Sequence, residues 1–158
     1  MPTGAERATA LVAVLWLLRL LTAAALAIDA YIHADLASAY DPVGAHVSQG
    51  TLFRIEAGLS AFAALVIIVI AIRTTWAACA VILAGALGAL LLYRYVDVGA
   101  LGPLPNMYEP VWFPEKTAAA FAEAAGTLTA LAGLLIHTRR SRARNQTKRT
   151  TAPPNQLG

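Results

Sequence analysis

The sequence predicts an all-α fold: an integral membrane four-helix bundle with its N- and C-termini cytoplasmic. Three observations predict it. First, 58% of the 158 residues are hydrophobic and only 13% are charged, against about 25% charged in a soluble domain. A chain this short has too little interior to bury so much apolar side chain, so lipid is where the excess goes. Second, the apolar residues fall in four runs, each near the roughly 20 residues that cross about 30 Å of hydrocarbon as a helix. Third, Lys and Arg are distributed unevenly between the two sets of flanks.

The first predicted span covers about residues 10–31 and is interrupted by Arg19 and Asp29. The sequence Ala25-Leu26-Ala27 resembles a signal-peptidase site. The apolar stretch is long for a signal peptide, however, and Arg19 interrupts it, so the reading is a retained span. The second span covers about 52–72, with no charge between Ala57 and Ile72. Only Arg73, Thr74 and Thr75 separate it from the third, about 76–96, so these two form an antiparallel hairpin. The fourth covers about 117–137 and contains Glu123. Helix is expected throughout, because an open strand leaves backbone groups unpaired in lipid. The two longer connections carry turn formers: Asp41-Pro42, Gly44 and Gly50 in the first, and Gly99, Gly102, Pro103, Pro105, Pro110 and Pro114 in the second. Small residues recur four apart at Ala122, Gly126 and Ala130, and at Gly85 and Ala89. Such spacing lets helix backbones approach closely, although an Ala-rich chain also produces it by chance.

Orientation follows the positive-inside rule. One side holds Arg7, Arg73 and a tail, residues 138–158, with Arg139, Arg140, Arg142, Arg144, Lys148 and Arg149. That side is expected to be cytoplasmic and the tail disordered, since it has few apolar residues. Anionic lipid is its expected partner. Nucleic acid is not, because no folded reader accompanies the charges. The opposite side collects Asp29, Asp35, Asp41, Glu56, Asp97, Glu109 and Glu115, with Tyr31, Tyr40, Tyr93, Tyr95, Tyr108, Trp112 and Phe113.

Several function classes are excluded. The single cysteine, Cys79, allows no intramolecular disulfide, which removes thiol–disulfide enzymes. There is no P-loop, dinucleotide turn or H-E-x-x-H motif. No haem is expected, because His33 and His137 lie at opposite ends of the membrane and cannot share one iron. No metal site is expected either: His33, His46, Asp29 and Asp35 share the outer side, but at irregular spacing.

The informative feature is a layer of ionisable residues at one depth. Asp29 and His33 close the first span, Arg54 and Glu56 open the second, Arg94 and Asp97 close the third, and Glu123 lies inside the fourth. Such groups are costly in lipid and normally face the bundle interior with a partner. Asp29 and His33, four apart, and Arg94 and Asp97, three apart, are helical neighbours. Those within a turn of the boundary have a competing reading, in which they reach water by snorkelling. Arg19, about 14 Å from one boundary, and Glu123, about 9 Å from the other, are deeper, leaving about 7 Å between their levels. Arg19 is therefore predicted to turn inward and reach toward Glu123. Such a layer around an apolar cavity suits a small-molecule site with a proton acceptor. Tyr108, Trp112 and Phe113 of the second outer loop are candidate lid residues, or else interfacial anchors.

Arg19 in the first span, the run Arg54-Ile55-Glu56-Ala57-Gly58-Leu59 opening the second, and the tight second hairpin together resemble the DoxX-like family of small four-helix bacterial membrane proteins. The resemblance covers about Leu11 to His137, with Arg19, Glu56 and Gly58 at the family's polar and small positions. It implies a redox-associated subunit, with a quinone as cofactor and a redox protein as partner, and the Ala-, Leu- and Arg-rich composition points to a bacterial plasma membrane. The long second outer loop, Gly99 to Lys116, departs from the compact members. Two other readings stay open: a dimeric proton-coupled carrier, and a scaffold that recruits a partner through its outer loops.

Overall fold

The computed structural model describes residues 3–44 and 46–151 and is all-helical among them. Four helices run in chain order: α1 (Gly4–Leu36), α2 (Gln49–Val69), α3 (Arg73–Tyr95) and α4 (Pro114–Thr151). All four are long and apolar enough to cross a membrane. Helices α1, α2 and α4 start where local chemistry satisfies or removes free N–H groups, whereas α3 has no side-chain cap at Ile72. At Thr3 a capping box pairs the Thr3 hydroxyl with the Glu6 backbone N–H and the Glu6 carboxylate with the Thr3 N–H. At Ser48 the hydroxyl accepts from the Thr51 N–H at 3.0 Å. Helix α4 opens on Pro114, whose missing N–H costs nothing in the first turn.

Two of these bounds differ from expectation. The capping box starts α1 before the apolar run, at Gly4 rather than residue 10, which makes it about 50 Å long. The tail from residue 138, expected to lack structure, instead continues α4 to Thr151. Arg, Ala, Gln and Lys are good helix formers, and a packed helix already supplies the nucleus that an isolated segment must form for itself. The end of that expectation, residues 152–158, lies outside the described residues.

The helices alternate in direction as a four-cornered bundle. Helix α1 packs along both α2 and α4, α3 packs along α4 and α2, and α1 barely touches α3. One end holds the tight link of Ile70, Ala71 and Ile72; the other holds the two long connections, residues 37–48 and 96–113. We call these the turn end and the loop end. The core is built from Leu26, Ile67, Trp76, Cys79 and Leu83 with Ala23, Ala63, Ala80 and Ala130. Large apolar side chains such as Leu17, Phe62, Val81, Phe121 and Leu128 face outward, as lipid allows.

The small residues of α4 are placed where backbones meet. A Cβ on Gly126 would overlap Ala25 and Leu83, and one on Gly133 would overlap the Trp76 ring. Gly85 has nothing within 4 Å of that position, so its spacing to Ala89 marks no close approach. Replacing Gly133 by Ala is therefore expected to destabilise the bundle by about 1–3 kcal/mol through overpacking. Gly85→Ala should change stability by no more than about 0.5 kcal/mol in either direction. Thermal unfolding of both variants in one detergent compares them directly.

Candidate functional site

The register of α1 against α4 builds the site. Thr22 and Thr129 share a hydrogen bond of 2.9 Å between their hydroxyls. One turn toward the loop end, Ala25 lies against Gly126. One turn further, the same register sets Asp29 beside Glu123, and both are completely buried. Ligand atoms of Asp29, His33 and Glu123 all lie within 4.8 Å of one another. The predicted pairing of Asp29 with His33 is present, with 3.0 Å between Oδ1 and Nδ1. Nδ1 is also 3.0 Å from the Asp29 backbone carbonyl. From α2, the Ser60 hydroxyl donates to Asp29 Oδ2 at 2.6 Å and lies 3.4 Å from Glu56 Oε1. Helices α1, α2 and α4 thus bring Asp29, His33, Glu56, Ser60 and Glu123 into one cluster. Both oxygens of Glu123 are buried without a hydrogen-bond partner.

Above the cluster, at the loop end, is a cavity of about 220 Å³. Its walls are mainly apolar, with Ile32, Leu36, Leu52, Phe53, Leu90 and Met107, and a few polar groups interrupt them: His33, Tyr40, Gln49, Glu56, Tyr93, Glu109 and Lys116. Phe53 holds two of the rings, meeting His33 edge-on at 5.1 Å and Tyr40 at 5.0 Å between centroids. Glu109 ties the roof together. Its carboxylate accepts from the Tyr40 hydroxyl at 2.5 Å and lies 3.8 Å from Lys116 Nζ, while its N–H donates to the Tyr93 carbonyl at 3.0 Å. Burial raises the Tyr40 phenol above its ordinary value, and the Glu109 carboxylate that it donates to raises it further.

The remaining predicted members of the layer are not in this cluster. Arg19 does not reach Glu123. Its guanidinium donates to the carbonyls of Ile67 and Ile68, in the last turn of α2, and stacks on Trp16 with its carbon 4.4 Å from the ring centroid. The physical reason is depth. Helix α1 runs on to Leu36, past the predicted end of the span, so Asp29 lies deeper, beside Glu123, and Arg19 falls at the turn end, level with carbonyls that have no helical partner. Ten residues separate it from Asp29, about 15 Å along the axis rather than the expected 7 Å. Arg54 turns back to Asp41 in the first connection, with two hydrogen bonds of 2.7 and 2.8 Å. That pair holds the Asp41 carboxyl below its ordinary value. The predicted Arg94–Asp97 pair is not formed, because α3 ends at Tyr95 and Asp97 lies beyond the helix. Asp97 instead accepts from the Gly99 N–H and from Asn106, while Arg94 lies over the rings of Tyr95 and Trp112. Of the three lid candidates, Phe113 lines the cavity; Tyr108 and Trp112 stay partly exposed outside it, and Met107 and Glu109 take their place. Asp35 and His46 are exposed and apart from the cluster.

Residues not singled out from sequence complete the site. Ser60 had a usable signal, since it stands four residues after Glu56 and so on the same helix face. The contact of Tyr40 with Glu109 spans 69 positions and had none. Comparison with protein-family models, curated proteins and solved structures gave no match.

With Arg19 and Glu123 at different ends of the bundle, their truncations should act independently. Arg19→Ala and Glu123→Ala, measured singly and together by thermal unfolding, are expected to add within about 0.5 kcal/mol. A coupling well above that would restore the ion pair that the geometry excludes.

Proposed function

We propose that the protein is a redox-associated membrane subunit that binds a quinone, or a lipid-soluble molecule of similar shape, with its head group in the loop-end cavity. The cavity carries this reading. About 220 Å³ is below the usual range of drug-sized pockets, about 300–1,000 Å³, and suits a single ring with its tail left in lipid. Apolar walls with a few polar groups suit a flat ring carrying carbonyl oxygens. Candidate donors come from His33 on α1 and Tyr93 on α3, the two helices that face each other across the bundle. Glu56 and His33 border the cavity and connect through Ser60 and Asp29 to the buried Glu123. Protons at the head group therefore have carriers on one side of the site.

In this reading the chain sits in a bacterial plasma membrane with the turn end cytoplasmic, because Arg7, Arg73 and the basic tail share that end. Anionic lipid then neutralises the tail, and a redox protein or a second copy of the chain docks at the loop end. Kinship with the DoxX-like group is part of the same proposal. It rests on the order of four helices and on Glu56 beside the cavity, while Arg19 supports it only as an α2 cap.

The test is quinone retention and stabilisation. Solvent extraction of the gently purified protein followed by mass spectrometry should recover quinone. A soluble short-tail quinone at about 100 times its Kd should stabilise the protein by about 2.7 kcal/mol. Leu90→Trp, which fills the cavity, should abolish both effects while the bundle still folds. A wild-type protein that carries no quinone and is not stabilised by one overturns the proposal.

A further inference from the structure

The buried cluster has a property that the cavity ligand does not use. We propose that Asp29, His33 and Glu123 bind one divalent first-row transition metal ion, through one imidazole nitrogen and two carboxylates, just below the cavity. Two observations carry this independently of the quinone. The three ligand atoms converge within 4.8 Å from two different helices. Both Glu123 oxygens are buried with no hydrogen-bond partner, and one of them belongs to this convergence. A buried carboxylate needs a proton or a cation to offset its lost hydration.

A proton shared between Asp29 and Glu123 is the rival, and it satisfies less. One shared proton occupies a single Glu123 oxygen and leaves the other without a partner, while His33 stays paired with Asp29. A divalent ion engages both carboxylates and the ring together, and its charge matches theirs when the imidazole is neutral. The surroundings resemble those of ligating groups. The Ser60 hydroxyl holds Asp29 Oδ2 at 2.6 Å and leaves Oδ1 toward His33. Phe53 meets the His33 ring edge-on and limits its rotation. Such outer contacts fix the direction of metal ligands.

The donor set selects the ion. One imidazole with two carboxylates suits Zn²⁺, Mn²⁺ or Fe²⁺; Mg²⁺ and Ca²⁺ prefer oxygen alone, and soft ions need thiolate. Bonds of about 2.0–2.2 Å require the ligand atoms to draw in by small side-chain rotations. Three protein ligands leave a coordination position free, on the cavity side where His33 already borders the space.

Zinc is the probe. The full chain, purified in mild detergent and stripped with chelator, is incubated with Zn²⁺, desalted and analysed for metal. About one ion per chain is expected, with a rise in melting temperature of about 5 °C. Glu123→Gln and His33→Ala should each lose both signals. Leu90→Trp should lose quinone and keep zinc, which separates failure of this proposal from failure of the previous one. X-ray absorption at the zinc edge of the wild-type protein should show nitrogen and oxygen ligands, and it decides the matter if a variant does not fold. Uptake well below one ion per chain with no thermal shift would leave the shared proton and overturn the site. So would zinc retained by both variants, or an equal response to Mg²⁺ or Ca²⁺.

Discussion

Asp29 is a completely buried carboxylate, in a helix whose neighbouring residues are almost all apolar, and its needs organise half the bundle. It takes a partner from each adjacent direction: His33 on its own helix, Ser60 on α2 and Glu123 on α4. Those are the two helices against which α1 packs. The close approach of α1 to α4 depends in turn on Gly126, one turn below, where any side chain would strike Ala25 and Leu83. Backbone proximity thus comes first, and the carboxylate pair follows from it. A bundle with a larger residue at that level would hold the helices apart and separate Asp29 from Glu123.

Arg19 shows what sequence could and could not reveal. Its apolar surroundings marked it as a residue that must find a partner inside the protein, and it has one. The partner is not an acid but the two free carbonyls at the end of α2. Depth decided between them, and α1 continues further toward the loop end than its apolar run indicated. The Thr-x-x-Glu capping signal at Thr3 and Glu6 was readable too, but it fixes the helix start and not this depth. The four helices, the Asp29–His33 pair and the convergence of Glu56 with Glu123 were legible because they depend on run length and on helical spacing. The partners of Arg54, Arg94 and Asp97 were not. Those depend on how irregular connections fold back, and no period in the chain records that.

The loop end is built by long-range contacts. The Val47 N–H reaches the Pro103 carbonyl, joining the two connections. Gly99 and Gly102 take left-handed backbone angles, φ 67° and 58°, which side chains rarely adopt, and so let the second connection double back. Glu109 then joins the first connection, the end of α3 and the start of α4 through Tyr40, Tyr93 and Lys116. The result is a roof held at several points rather than a loose flap. A ligand that enters from above must break the Glu109 contacts, whereas one that enters between helices need not.

Charge balance completes the connection between packing and chemistry. The ion pairs among the described residues join His33 to Asp29, Arg54 to Asp41 and Lys116 to Glu109. None brings a Lys or Arg to Asp29, Glu56 or Glu123. Arg94, the cation closing α3, is directed at aromatic rings instead. Arg19 is about three turns away at the other end. Three acids therefore meet one imidazole in a low-dielectric interior, where unbalanced charge is most costly. Among the described residues no Lys or Arg supplies a permanent countercharge, so protons or a bound cation must supply it.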